Sequence, residues 1–156
     1  MISPSARTQK KNPLIDHVQK CFLELGEGFA LVGRKVRLPI DGKNYYIDLL
    51  FYHIRLRCFY VVALRNTKFK PEYIDKLNLY LSSVDNQWRL SEENPAIGLL
   101  LCKTKDNFTA QYTLSDTTES KKIIEKLPTA EKIEFELEKP SIEIIETQSL
   151  IANIKQ

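Results

Sequence analysis

The basic half of this chain interleaves cations with aromatic rings, a mixture that grips phosphates and stacks bases. The cations are Arg34, Lys35, Arg37, Arg55, Arg57, Lys68 and Lys70, and the rings are Tyr45, Tyr46, Tyr52 and Phe69. On strands, alternate aromatics more often fill a core, so only some of these rings are expected to face a ligand. One acid interrupts an apolar run: Asp48, in Tyr46-Ile47-Asp48-Leu49-Leu50. An acid there either faces water at a sheet edge, pairs with an arginine, or holds a metal ion. Lys76 and Tyr80 stand one helical turn apart further on. Read from spacing alone, Lys76 pairs with Glu72 on a solvated face and Tyr80 packs in the core.

Charge points the same way. Residues 1–90 carry 15 Lys/Arg against 8 Asp/Glu, a balance of +7, whereas residues 91–156 carry 8 against 12, a balance of −4. The net +3 of the whole chain therefore hides a basic half, where a polyanion would dock. An accidental bias on a solvated surface would look the same.

Composition excludes several classes. A chain of 156 residues suits one domain with its own core. With 43% hydrophobic and 28% charged residues it is not a disordered sequence. No apolar stretch is long enough to span a membrane, and the polar start MISPSARTQKKNP lacks the apolar region of a secretory signal. Cys21, Cys58 and Cys102 are odd in number, far apart and set in apolar contexts, so they read as buried free thiols in a reducing compartment. His17 and His53 have no cysteine beside them, which argues against a structural zinc. Together these points predict a cytoplasmic protein.

The elements that must position the chemistry follow from periodicity. Residues 1–12 read as a flexible lead-in. Leu14, Ile15, Val18, Phe22 and Leu25 recur at helical spacing, and Gly26 and Gly28 end that helix. Three strands follow over 29–40, 44–53 and 57–65, with Asp41-Gly42-Lys43 as a hairpin turn. The third is almost wholly apolar and should be central. Pro71 opens a helix over 71–84, and Asn94-Pro95 marks a loop. Strands at 96–103 and 108–114, a short helix at 119–127 and a helical or irregular piece at 129–138 complete the pattern. The tail, 140–156, reads as a helix or as disorder. Three strands in a meander, then a helix leading to a further strand, make a mixed α/β sheet flanked by helices.

The phrases GFALVGRKVRL, YYIDLLFYHIRLRCFYVV, KFKPEYIDKLNLYL, ENPAIGLLLCK and LPTAEKIEFEL resemble, in order and spacing, the YhcG-type bacterial family. Its C-terminal domain is a PD-(D/E)xK nuclease domain, and the resemblance covers roughly Leu14 to Leu137. It implies a restriction-endonuclease-like fold over 13–139. There an acid on the second strand and a D/E-x-K on the third converge to hold Mg²⁺ and place a water against a phosphodiester. Asp48 matches the first acid, and Glu24 matches an auxiliary metal ligand. The third strand departs from the pattern: Ala63-Leu64-Arg65 stands where Asp or Glu, Leu and Lys are expected. Alanine offers no ligand atom. Arginine keeps the charge but is never neutral, so it cannot act as a base. Lys76 and Tyr80 match the helix that borders the site. The implied partners are nucleic acid, DNA first, together with a helical N-terminal domain; a second copy of the chain is a further candidate partner that the resemblance does not itself imply.

Three readings remain on the sequence: a degenerate nuclease domain that still binds nucleic acid, an active nuclease with a carboxylate relocated to Glu24 or Glu72, and a protein-assembly module.

Overall fold

The computed structural model describes residues 12–105, 107–115 and 117–139. All of the expected lead-in but Asn12, and the whole of the tail, lie outside the described residues. Helix α1 (Pro13–Leu25) is followed by strands β1 (Phe29–Ile40), β2 (Lys43–His53) and β3 (Cys58–Arg65). Helix α2 (Pro71–Gln87) leads to β4 (Ile97–Lys103) and β5 (Phe108–Leu114), and helices α3 (Thr118–Ile124) and α4 (Ala130–Glu138) follow. The five strands form one sheet in sequence order. Every neighbouring pair is antiparallel except β3 and β4, which run parallel because α2 carries the chain back across the sheet. This is the mixed α/β sheet flanked by helices expected from the sequence, with β3 at its centre. No helix among the described residues is long and apolar enough to cross a membrane.

Local chemistry sets the ends of these elements. Asn12 caps α1, its Oδ1 accepting from the Ile15 N–H at 3.1 Å, and Pro13 takes the first helical position, where its missing N–H costs nothing. Asp41 and Gly42, at φ +48° and +78°, make the two-residue turn between β1 and β2, whose backbone twist matches that of the strands. Gly28 is required twice over. Its φ is +112°, and a Cβ there would lie 2.6 Å from the His53 ring.

Helices cover both faces. On one, Ile15, Val18 and Phe22 of α1 pack with Leu49, Phe51, Tyr60 and Val62, joined by Ile133 and Leu137 of α4. On the other, Leu77, Tyr80, Leu81 and Val84 of α2 pack on Leu50, Val61, Ala63 and Leu100. Gly98 lets α2 approach closely, since a Cβ there would meet Leu77 at 3.0 Å. Cys21, Cys58 and Cys102 are all buried and free. Burial pushes the Cys21 and Cys58 thiols up to about 12, with nearby acids adding to the effect, so neither is a reactive thiolate.

Candidate functional site

The period-two alternation of the first hairpin breaks where the β1–β2 register shifts, between Leu31 and Gly33, and again at Asp48. In β2, Leu49 and Phe51 face α1, whereas Ile47 and Leu50 both face α2. Strict alternation would put 47, 49 and 51 on one face, so the strand changes phase at Asp48. Strand β1 changes phase opposite it. Arg34 reaches the α1 side and pairs with Asp16 at 2.7 Å, while Val36, Leu38 and Ile40 pack toward α2. The residue at that change, Lys35, has φ +49°, a left-handed conformation that a side-chain-bearing residue seldom adopts inside a strand. Since Arg34 pairs with Leu49 and Val36 with Ile47, Lys35 stands opposite Asp48.

On its other side Asp48 completes the sheet. The β2–β3 ladder ends at the Leu49–Val62 pair. Beyond it, Asp48 Oδ2 accepts from the Leu64 N–H at 2.8 Å and from Arg65 Nη1 at 3.2 Å. Oδ1 accepts from Lys35 Nζ at 2.5 Å. Asp48 is 9% exposed, so an unpaired carboxylate there would be costly, and three donors satisfy it.

The surroundings are cationic and aromatic. The Arg65 guanidinium lies 5.4 Å from the Tyr73 ring and also donates to the Leu64 carbonyl at 2.7 Å. Lys70 Nζ lies 5.8 Å from the same ring, and the Tyr73 hydroxyl shares a hydrogen bond with Thr67. Deeper in, Tyr80 meets the Tyr45 ring edge-on at 5.9 Å, and Lys76 Nζ lies 5.7 Å from the Tyr45 ring. Burial raises the Tyr80 hydroxyl pKa; Arg65 opposes that and Asp48 adds to it. Tyr80 is thus both core and wall of the site.

Not every residue singled out in the sequence arrives here. Ala63 is buried under α2 and contributes no polar atom. Glu24 is exposed in the last turn of α1, where its charge acts on Cys21 together with Glu136. That end of α1 leads into Phe29, which pairs with His53, roughly 16 Å along β2 from Asp48 at about 3.3 Å per residue. Arg55 and Arg57 lie on the turn at the same far end, and Arg55 pairs with Glu27. Tyr52 is also at that end, bonded to Glu93. Lys68 and Lys70 are exposed on the loop after β3, and Arg37 is exposed opposite Tyr46. The site also uses residues whose part the sequence reading missed: Tyr73 beneath Arg65, and Lys35 as the partner of Asp48 as well as a surface cation.

The family described as YhcG PDDEXK nuclease domain matches residues 3–145. The chain belongs to that family. Over 102 residues it is 45% identical to the protein named "Putative nuclease YhcG" of Escherichia coli (strain K12). That stretch is 65% of this chain and 27% of the relative, so the chain spans about a quarter of the relative's length. Among solved structures it is similar to a repair endonuclease from Pyrococcus abyssi at 16% identity and a TM-score of 0.43, over 75% of this chain and 44% of that one.

Membership of a PDDEXK nuclease family implies Mg²⁺, and the residues present do not fit that ion. Both oxygens of Asp48 are engaged by cations and a backbone N–H. Ala63 supplies no oxygen, and Glu24 is elsewhere. Among the described residues no three His, Cys, Asp or Glu side chains gather where they could hold a metal. A hard, octahedral ion needs several oxygen ligands, and this donor set offers two cations in their place.

The backbone at Lys35 has a measurable consequence. Inside a strand, glycine is normally worse than alanine by roughly 0.5–1 kcal/mol. At φ +49° the order should reverse, since only glycine relieves a left-handed strain of about 1 kcal/mol. Both substitutions lose the same ion pair. Net of glycine's entropy cost at most about 0.5 kcal/mol remains, so Lys35→Gly should melt about 1–2 °C above Lys35→Ala in thermal denaturation. The usual order, alanine above glycine, would contradict the left-handed backbone.

Proposed function

We propose that this domain binds nucleic acid through the surface around Asp48 and carries out little or no Mg²⁺-dependent cleavage. The observation that supports this best is the Lys35–Asp48–Arg65 cluster itself. The position from which the family's chemistry would hold an ion carries two cations on its one carboxylate, and the neighbouring position is Ala63. A carboxylate neutralised in this way no longer repels a phosphate, while Arg65 keeps a fork of donors that suits one. Lys68, Lys70 and Lys76 extend the cationic surface over exposed positions.

Binding of this kind is mostly electrostatic and only weakly dependent on base sequence. For duplex DNA, log affinity should fall against log salt with a slope of about −0.9 per phosphate neutralised. Arg65→Ala and Lys70→Ala should each make that slope shallower by about one unit, whatever the base sequence of the probe. Fluorescence anisotropy over a salt series measures both. An absence of binding at low salt would sink the proposal and favour protein assembly as the function of this face.

A further inference from the structure

The loop between β3 and α2 reads Asn66-Thr67-Lys68-Phe69-Lys70, and all five residues are exposed. Phe69 keeps 42% of its surface in water. A lone exposed ring is ordinary. This one is flanked by two lysines at the end of a continuous run of contacts. Lys70 and Arg65 both lie against the Tyr73 ring, Arg65 meets Asp48, and Asp48 meets Lys35. Five cations (Lys35, Arg65, Lys68, Lys70 and Lys76) stand against three acids on this stretch, namely Asp48, Glu72 and Asp75, a balance of +2.

The ring decides which form of nucleic acid suits the surface. In a duplex the bases are stacked on one another, and a protein ring reaches them only by prising a step apart. In a single strand every base offers a free face to a ring beside a cationic track. Building on the nucleic-acid reading above, we infer that this surface takes a single strand, with phosphates along Arg65 and Lys70 and an unpaired base on Phe69. Lys35 and Arg65 already neutralise Asp48, so the strand binds without a bridging divalent cation.

The test is fluorescence anisotropy with a labelled oligothymidylate, which forms no internal pairs, and a labelled duplex, each in EDTA and in Mg²⁺. The oligothymidylate should bind about tenfold more tightly, as expected for one stacked base. Phe69→Ala should abolish that advantage, lowering oligothymidylate affinity about tenfold while changing duplex affinity far less, with its melting temperature measured alongside, since the ring is only 42% exposed. Phe69→Tyr should restore the advantage, and EDTA should change nothing. Equal affinity for the two probes, an advantage that survives Phe69→Ala, or single-strand binding that needs Mg²⁺ would overturn the inference. Of these, equal affinity or an advantage untouched by Phe69→Ala would leave the nucleic-acid reading standing. Failure to bind either probe would overturn that reading as well.

Discussion

Asp48→Ala should lower the stability of the domain by about 2–3 kcal/mol, a fall in melting temperature of about 10 °C. Three losses combine. The Leu64 N–H, which lies past the end of the β2–β3 ladder, loses its acceptor. Arg65, with 24% of its side chain exposed, is left beside Lys35 with no anion between them. Lys35 loses the contact that accompanies its left-handed backbone. The Lys35 share is small, because 58% of its side chain is in water and an exposed pair contributes at most about 1 kcal/mol. Most of the effect therefore comes from the Leu64 and Arg65 bonds. Asp48→Asn separates them, since its amide oxygen still accepts from Leu64 while the charge is gone, and about half the loss should remain. Denaturant unfolding of the three proteins measures this. A working metal site predicts the reverse sign. Carboxylates crowded together for an ion repel one another, and removing one often stabilises the fold at the expense of activity. An Asp48→Ala protein more stable than its parent would mean that the cluster is not what holds this sheet edge.

Much of this arrangement is legible in the residues, and the part that is not has identifiable causes. The two-residue turn Asp41-Gly42 pairs Ile40 with Lys43, so counting back five steps sets Lys35 opposite Asp48. Position is thus readable, but the phase change is not. Nothing in Gly33-Arg34-Lys35-Val36 marks a left-handed residue, because lysine is not a residue that favours one. The conformation follows from tertiary demands on either side: Arg34 is drawn to Asp16 on α1, and Leu38 is buried against α2. Glu24 fails for a related reason. Helical spacing tells which face of α1 is buried, yet not which end of the sheet each turn overlies. The first turn, with Asp16, meets β1 at Arg34 beside Lys35, and the last turn meets the far end. Arg55 and Arg57 are close to Asp48 in sequence, and the extended strand between them carries them away. Helix α2 runs past Val84 because its last turn is tied down at a distance, with Asp85 accepting from the Ala96 N–H and Gln87 donating to the Pro39 carbonyl. Patterns of one or two periods do not encode such contacts.

The unmodified chain should leave supercoiled plasmid DNA essentially uncut in Mg²⁺ and in Mn²⁺. Ala63 and Arg65 alone suggest this, and the geometry adds a further obstacle in Lys35, which would still occupy Asp48 Oδ1 if the third strand were repaired. Repair should therefore proceed in steps. Ala63→Glu with Arg65→Lys restores the acid and the lysine of the family pattern, and adding Lys35→Gln removes the competing cation from the opposite strand. Cleavage should be least in the parent, detectable in the double variant and greatest in the triple, with a total gain of at least about 10²-fold, the scale on which a single electrostatic group matters in other enzymes. The new glutamate has to find room, because Ala63 is 4% exposed and lies in one cluster with Leu77 and Tyr80. Each variant's melting temperature must accordingly be measured beside its activity, so that a failure to fold is not taken for a failure to cut. Strong metal-dependent cleavage by the parent, lost in Asp48→Ala, would show that a carboxylate has been recruited from elsewhere and that the Lys35–Asp48–Arg65 cluster opens when metal and substrate arrive. If the triple variant folds and binds DNA yet stays inert, more of the catalytic apparatus has been lost than Ala63, Arg65 and Lys35 account for.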